Sequence, residues 1–138
     1  TVLANEEVIG ALMKTIAPYP VPAPVAQIAC QALSEQGLNL LNEQLDWLNM
    51  QKQSLGSELA KRKGVTLVGG TSANFILFRH ALYAQLMQFL VTNGLLIRDQ
   101  SKQYNLNGCL RITVGSELQN QRFLTLLDEF TATSGVTE

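Results

Sequence analysis

Charge is scarce in this chain. Charged residues make up 15% of 138 positions and the formal net charge is −1, so there is no broad basic surface to neutralise nucleic-acid phosphates and no polybasic patch for a membrane. Nucleic acid and membrane are therefore excluded as partners. Long apolar runs are missing too. Stretches such as Phe75-Ile76-Leu77-Phe78 fall far short of the roughly 20 residues a spanning helix needs. The two cysteines, Cys30 and Cys109, lie far apart with no CxxC partner, and His80 is the sole histidine. A metal centre is not expected, and a reduced, cytosolic chain is. The first residues, Thr1 to Glu7, show no initiating Met, basic leader or signal-type apolar core. The chain reads as cut from something longer.

What is present is an apolar fraction of 46%, enough for one domain with a real core. Asn5 is placed to cap a helix carrying Val8, Ile9, Leu12 and Met13, with Glu6 and Glu7 suiting its dipole. All four prolines fall between positions 18 and 24, which predicts a stiff extended connector. Pro24 opens the next helix, with Val25, Ile28, Ala29, Ala32 and Leu33 on one face and Gly37 closing it or marking a bend. From Leu38 to about Arg62, leucines at 38, 41, 45, 48, 55 and 59 form a stripe interrupted by Lys52. This predicts a long helix facing a core rather than a dimerising coiled coil.

After Gly64 the pattern becomes extended. Val65–Val68 and Asn74–Arg79 read as adjacent strands, separated by Gly69-Gly70-Thr71-Ser72. Leu82, Leu86, Phe89 and Leu90 mark a helix ending at Asn93-Gly94, and Leu95–Arg98 a short strand. A polar loop from Asp99 to Gly108 leads to Cys109–Val114, where Leu110, Ile112 and Val114 point one way and Cys109, Arg111 and Thr113 the other. Ser116-Glu117-Leu118-Gln119 has the form of a capping box before a helix carrying Phe123, Leu126, Leu127 and Phe130. Residues after Thr131 read as a polar tail.

Chemistry is sparse. Arg79, Arg98 and Arg111 lie in or at the ends of strands, and a guanidinium on a strand face calls for an anion. Arg111 is mid-strand on the polar side. Arg98 has an ion pair with Asp99 as its plain explanation, and Arg79 reads as a solvent group at a strand end. His80 has no nearby acid to orient it and is expected at the surface. Gly69-Gly70-Thr71-Ser72 lacks the lysine of a phosphate loop and is a turn. Ser101-Lys102 sits in a polar loop and is expected in solvent rather than in catalysis.

Several pieces in order resemble the histidinol-phosphate aminotransferases. They are Leu3-Ala4-Asn5-Glu6-Glu7-Val8-Ile9, Ile16-Ala17-Pro18-Tyr19-Pro20-Val21, Pro24-Val25-Ala26, Asn74-Phe75-Ile76-Leu77, Ile97-Arg98-Asp99-Gln100 and Gly108-Cys109-Leu110-Arg111-Ile112-Thr113-Val114-Gly115. The likeness runs from about residue 2 to residue 130. It implies an α+β fold, the C-terminal small domain of a fold-type-I pyridoxal-phosphate enzyme. In that layout residues 1–36 are the edge of the large domain with its Pro-rich connector, and 37–63 a bridging helix. Residues 64–131 would be β-β-α-β-β-α with a small, mostly antiparallel sheet, and 132–138 a flexible tail.

The resemblance also implies a cytoplasmic homodimeric parent that moves an amino group between glutamate and imidazole-acetol phosphate. By it, Arg111 is similar to the arginine that grips the substrate's anionic end, Arg98 to a second arginine near the substrate phosphate, and Asn74 to an asparagine near the cleft. Tyr19 resembles part of a segment near the dimer interface. The lysine that forms the Schiff base, and the residues that hold the cofactor, have no match here. The chain alone is therefore expected neither to bind pyridoxal phosphate tightly nor to turn over, and its uncovered apolar helix faces are expected to drive self-association. Two other readings stay open: a related aromatic or phospho-amino-acid pyridoxal-phosphate enzyme, and an independent anion-binding α+β module.

Overall fold

In a computed structural model of the chain, residues 2–70 and 72–135 are described. The chain divides into two units, residues 1–42 and 43–138.

In the first unit, α1 (Glu6–Met13) starts where Asn5 accepts a hydrogen bond from the Val8 amide through its side chain. This is the expected cap. The proline segment is not one extended run, because Tyr19 takes a left-handed φ of 57°, and bends follow one another up to Pro22. Next, α2 (Ala23–Ala32) has proline in its first turn, and α3 (Glu35–Ala60) begins only three residues later. Gly37 therefore does not close α2. It lies in the first turn of α3, donates its amide to Ser34 Oγ, and sits so close to the end of α2 that a Cβ would strike the Ala32 carbonyl oxygen and lie 2.6 Å from that of Gln31. Neither α1 nor α2 has a buried residue.

The leucine stripe of α3 is correspondingly divided. Leu55 and Leu59 are buried, but Leu38, Leu41 and Leu45 are exposed. The expectation of a core-facing helix holds for its C-terminal part alone.

The second unit is built on four strands, β1 (Val65–Leu67), β2 (Phe75–His80), β3 (Arg98–Asp99) and β4 (Cys109–Thr113), in the order β1-β2-β4-β3. Every neighbouring pair is antiparallel. The part of α3 from residue 43 onward and two further helices complete it, α4 (Tyr83–Thr92) and α5 (Glu117–Ser134). The order β-β-α-β-β-α is as expected. The third strand is the most displaced: Leu95–Ile97 lie outside it and pairing begins at Arg98, because Gly94 in its left-handed conformation is followed by a main-chain bond from Leu95 back to Leu90.

Alternation along the strands sends Ile76, Phe78 and His80 of β2, with Leu110 and Ile112 of β4 and Val114 just beyond it, to one face. There they meet Leu55 and Leu59 of α3, Leu86 and Leu90 of α4, and Phe123, Leu127 and Phe130 of α5. Phe78 and Phe123 pack at 5.9 Å between ring centroids. Arg62 ties the end of α3 to α5 through a two-pronged contact with Asp128, Nε to Oδ1 at 2.8 Å and Nη2 to Oδ2 at 3.0 Å. Ser116 caps α5 with the reciprocal bonds of a capping box. The helix runs to Ser134 and ends on Gly135 with φ 60°, so Ala132–Ser134 are helical where a tail was expected; the end of that tail, 136–138, lies outside the described residues.

His80 corrects the surface expectation. β2 extends one residue beyond Arg79, and the two-residue period carries His80 into the core, 1% exposed. Its Nδ1 accepts the Leu82 amide at 3.1 Å, its ring stands edge-on to Phe130, and Nε2 has no partner. Burial holds its pKa below the ordinary 6.5. The unfolded chain then binds this proton more readily than the folded one, so the stability from neutral His80 is complete above about pH 6.5 and lost as pH falls below it. Urea midpoints measured from pH 7.5 to pH 5 are expected to fall less in His80→Asn, which keeps an acceptor for Leu82 but cannot titrate. Parallel curves for the two proteins would contradict this.

Candidate functional site

The face of the sheet opposite the core carries the arginines. Arg98 of β3 pairs directly with Arg111 of β4, and Arg111 with Leu77 of β2. One row across the sheet therefore reads Leu77, Arg111, Arg98. Like charges opposite one another on one face are destabilising, and no acid relieves them among the described residues. The Asp99 carboxylate accepts the Ser101 amide at 2.7 Å instead, and the Ser101 side chain together with that amide holds Asp99 below the usual carboxylate range. The simple ion pair of Arg98 with Asp99 is therefore not formed, since adjacent strand residues point to opposite faces.

Arg111 is half-buried, with its guanidinium carbon 4.8 Å from the centre of the Phe75 ring. Its Nε is buried without a hydrogen-bond partner. An unsatisfied buried donor is costly, and a planar, always-charged fork meets that cost best with a carboxylate or phosphate.

Both arginines line a cleft of about 530 Å³ between the 94–98 segment, the end of β4 and the first turns of α5. Arg122 lines it as well, and no aspartate or glutamate does. Arg122 donates to the Asn93 carbonyl at 2.8 Å. The wall at α5 is fixed by Asn120, whose Oδ1 accepts the Gly115 amide at 2.9 Å while Nδ2 donates to the Gly115 carbonyl and to Gln51 Oε1. The cleft is thus braced along α5 and electrically one-sided, suited to a small anion.

Asn74 is not brought into this cleft. It is exposed, one residue before β2, and its main-chain carbonyl accepts the Val114 amide at 3.0 Å. Arg79 is exposed as expected, but it also straps the 100–108 loop, donating from Nε to the Asn107 carbonyl and from Nη2 to that of Asn105. Arg122 and Phe75 were missed. No pattern in the sequence marks either, since an arginine on an amphipathic helix and a phenylalanine in a strand are ordinary.

The chain has five lysines. None lines the cleft, Lys52 donates to the Ala73 carbonyl, Lys61 pairs with Glu58, and Lys102 of the Ser101-Lys102 pair is exposed. The lining of this cleft suits an anion. Among the described residues no helix is long and apolar enough to cross a membrane, and no group of histidine, cysteine, aspartate and glutamate is placed to hold a metal.

An α+β unit presenting an anion cleft from a small antiparallel sheet accords with comparison to known proteins. The family described as aminotransferase class I and II matches residues 1–127, and the chain belongs to that family. Among named relatives, a histidinol-phosphate aminotransferase of Pseudoalteromonas atlantica is 56% identical over 93% of this chain and 34% of its own length. One of Salmonella typhi is 44% identical over 91% of this chain and 35% of its own. The chain thus spans about a third of these relatives. Its fold is that of the histidinol-phosphate aminotransferase from Clostridium acetobutylicum, with a TM-score of 0.83 at 22% identity over 93% of this chain and 39% of that one. A decarboxylase from Sulfurospirillum multivorans shares it, with a TM-score of 0.82 at 16% identity over 93% of this chain and 37% of that one.

Proposed function

We propose that this chain is the substrate-anion-binding part of a histidinol-phosphate aminotransferase, in which Arg111 and Arg98 hold the phosphate of the substrate. The observation that carries this is the pair itself: two arginines side by side on one sheet face, one with a buried unpartnered Nε, in a cleft without an acid. Identity of 56% to a protein of that name supports it. Asn74 is proposed as a more distant contributor beside the end of β4.

In this reading residues 1–36 belong to the edge of the large domain, 37–63 to a bridging helix and 64–131 to the small domain. The whole enzyme is a cytoplasmic homodimer that passes an amino group between glutamate and imidazole-acetol phosphate. Pyridoxal phosphate, when bound there, supplies the carbanion stabilisation. This chain's own share is to neutralise and orient the far end of the substrate, which fixes the reacting end at a set distance. By itself the chain binds the anion but does not catalyse, and its uncovered apolar helices associate.

Titration of the chain with histidinol phosphate, histidinol and phenylalanine tests the reading. Histidinol phosphate is expected to bind with an affinity of about a millimolar, the level a few charge-assisted hydrogen bonds support, and histidinol much more weakly. Equal affinity for the phosphorylated and unphosphorylated amines would remove the phosphate role, and preference for phenylalanine would favour an aromatic transaminase.

A further inference from the structure

A guanidinium whose buried nitrogen has no hydrogen-bond partner needs something else to hold it still, and Arg111 Nε has none among the described residues. Its direct neighbour Leu77 gives an apolar flank without preferring any orientation of the fork. Phe75 is different. It pairs with Thr113, two residues along β4 from Arg111 and on the same face, a diagonal separation that aromatic and long side chains span. Its ring lies under the guanidinium, 4.8 Å from the carbon.

A cation above an aromatic face is attracted by the ring's quadrupole. That contact takes up the flat face of the guanidinium and leaves its N–H edges free. A carboxylate neighbour would do the reverse, using the edges and cancelling the charge. Phe75 is itself well held, since it opens a central strand and precedes the core residue Ile76.

Resting on the reading of Arg111 as the anion grip, we propose that Phe75 is a positioning residue which holds the Arg111 guanidinium flat, charged and edge-on to the incoming anion. The ring orients the cation without neutralising it. The preference is for an aromatic at 75, not merely for bulk.

The test compares the unaltered chain with Phe75→Tyr and Phe75→Leu by two readouts: the nitrogen–proton resonance of Arg111 Nε, and titration with inorganic phosphate. In the parent and in Phe75→Tyr the resonance is expected to be displaced by the ring current and slow to exchange, with phosphate affinity alike. In Phe75→Leu the displacement is lost and phosphate binds about tenfold more weakly, while the thermal midpoint of Phe75→Tyr stays at the parent value. An unchanged Arg111 resonance in Phe75→Leu, or undiminished phosphate affinity in a chain whose Arg111→Met variant does lose it, overturns the proposal. If Arg111→Met binds phosphate as the parent does, or neither binds, the grip reading is what fails; the resonance then decides the Phe75 role alone, for it if Phe75→Leu abolishes the displacement and against it if not.

Discussion

Exchange of Arg111 for methionine is expected to weaken phosphate binding by about a hundredfold, which at millimolar starting affinity amounts to its loss. Methionine preserves much of the apolar stem while removing every donor. Two charge-assisted hydrogen bonds contribute about 3 kcal/mol together, and each 1.4 kcal/mol is about a factor of ten in affinity. The fold should not suffer. Arg111 faces Arg98 across the β3–β4 ladder, so removing one of two like charges relieves a repulsion. Phosphorus-31 line broadening reads the binding and urea denaturation reads the stability. Arg111→Lys, which restores the charge without the planar fork, is expected to recover about a tenth of the parent affinity. Parent-like binding by Arg111→Met would place the anion elsewhere.

Truncation of Phe123 to alanine should cost about 3–5 kcal/mol of stability, a large part of the roughly 5–15 kcal/mol that holds a domain together. The ring is wholly buried, packs against Phe78 and lies among α3, α4 and α5 residues beneath the sheet, so its removal leaves a void in the core. Leu118, five residues earlier on the same helix but 80% exposed, provides the contrast: its truncation should change stability by no more than about 0.5 kcal/mol. Urea curves of the two variants check both. A cost below about 1 kcal/mol for Phe123→Ala would mean that this residue is not the centre of the core.

Much of the second unit was legible because short-range rules govern it. The capping box at Ser116 and Gln119, the turn at Asn93-Gly94 and the alternation along Leu110–Thr113 are each written in a few neighbouring residues, and each appears in the structure, although Cys109, expected on the polar side, is buried. Periodicity also assigned Arg111 to the face away from Leu110 and Ile112. What it could not supply is register. Nothing local to β3 says that Arg98 stands opposite Arg111, nor anything in β2 that Phe75 falls diagonal to it, because pairing is chosen by the whole sheet. His80 was misplaced by a single residue of strand length, which was enough to reverse its face. The leucine stripe of α3 failed differently: its spacing is regular, but spacing reports which side of a helix is apolar and not whether anything lies against it.

The outer strands of this sheet are very short, three residues in β1 and two in β3. Unsatisfied amides and carbonyls along a rim invite another chain to add itself, and brevity together with a projecting cation discourages that. Arg98 stands on that boundary: the positive group proposed above to meet a ligand also discourages a stranger's backbone from zipping onto β3, so on that reading recognition and protection from fibril-like stacking share one side chain.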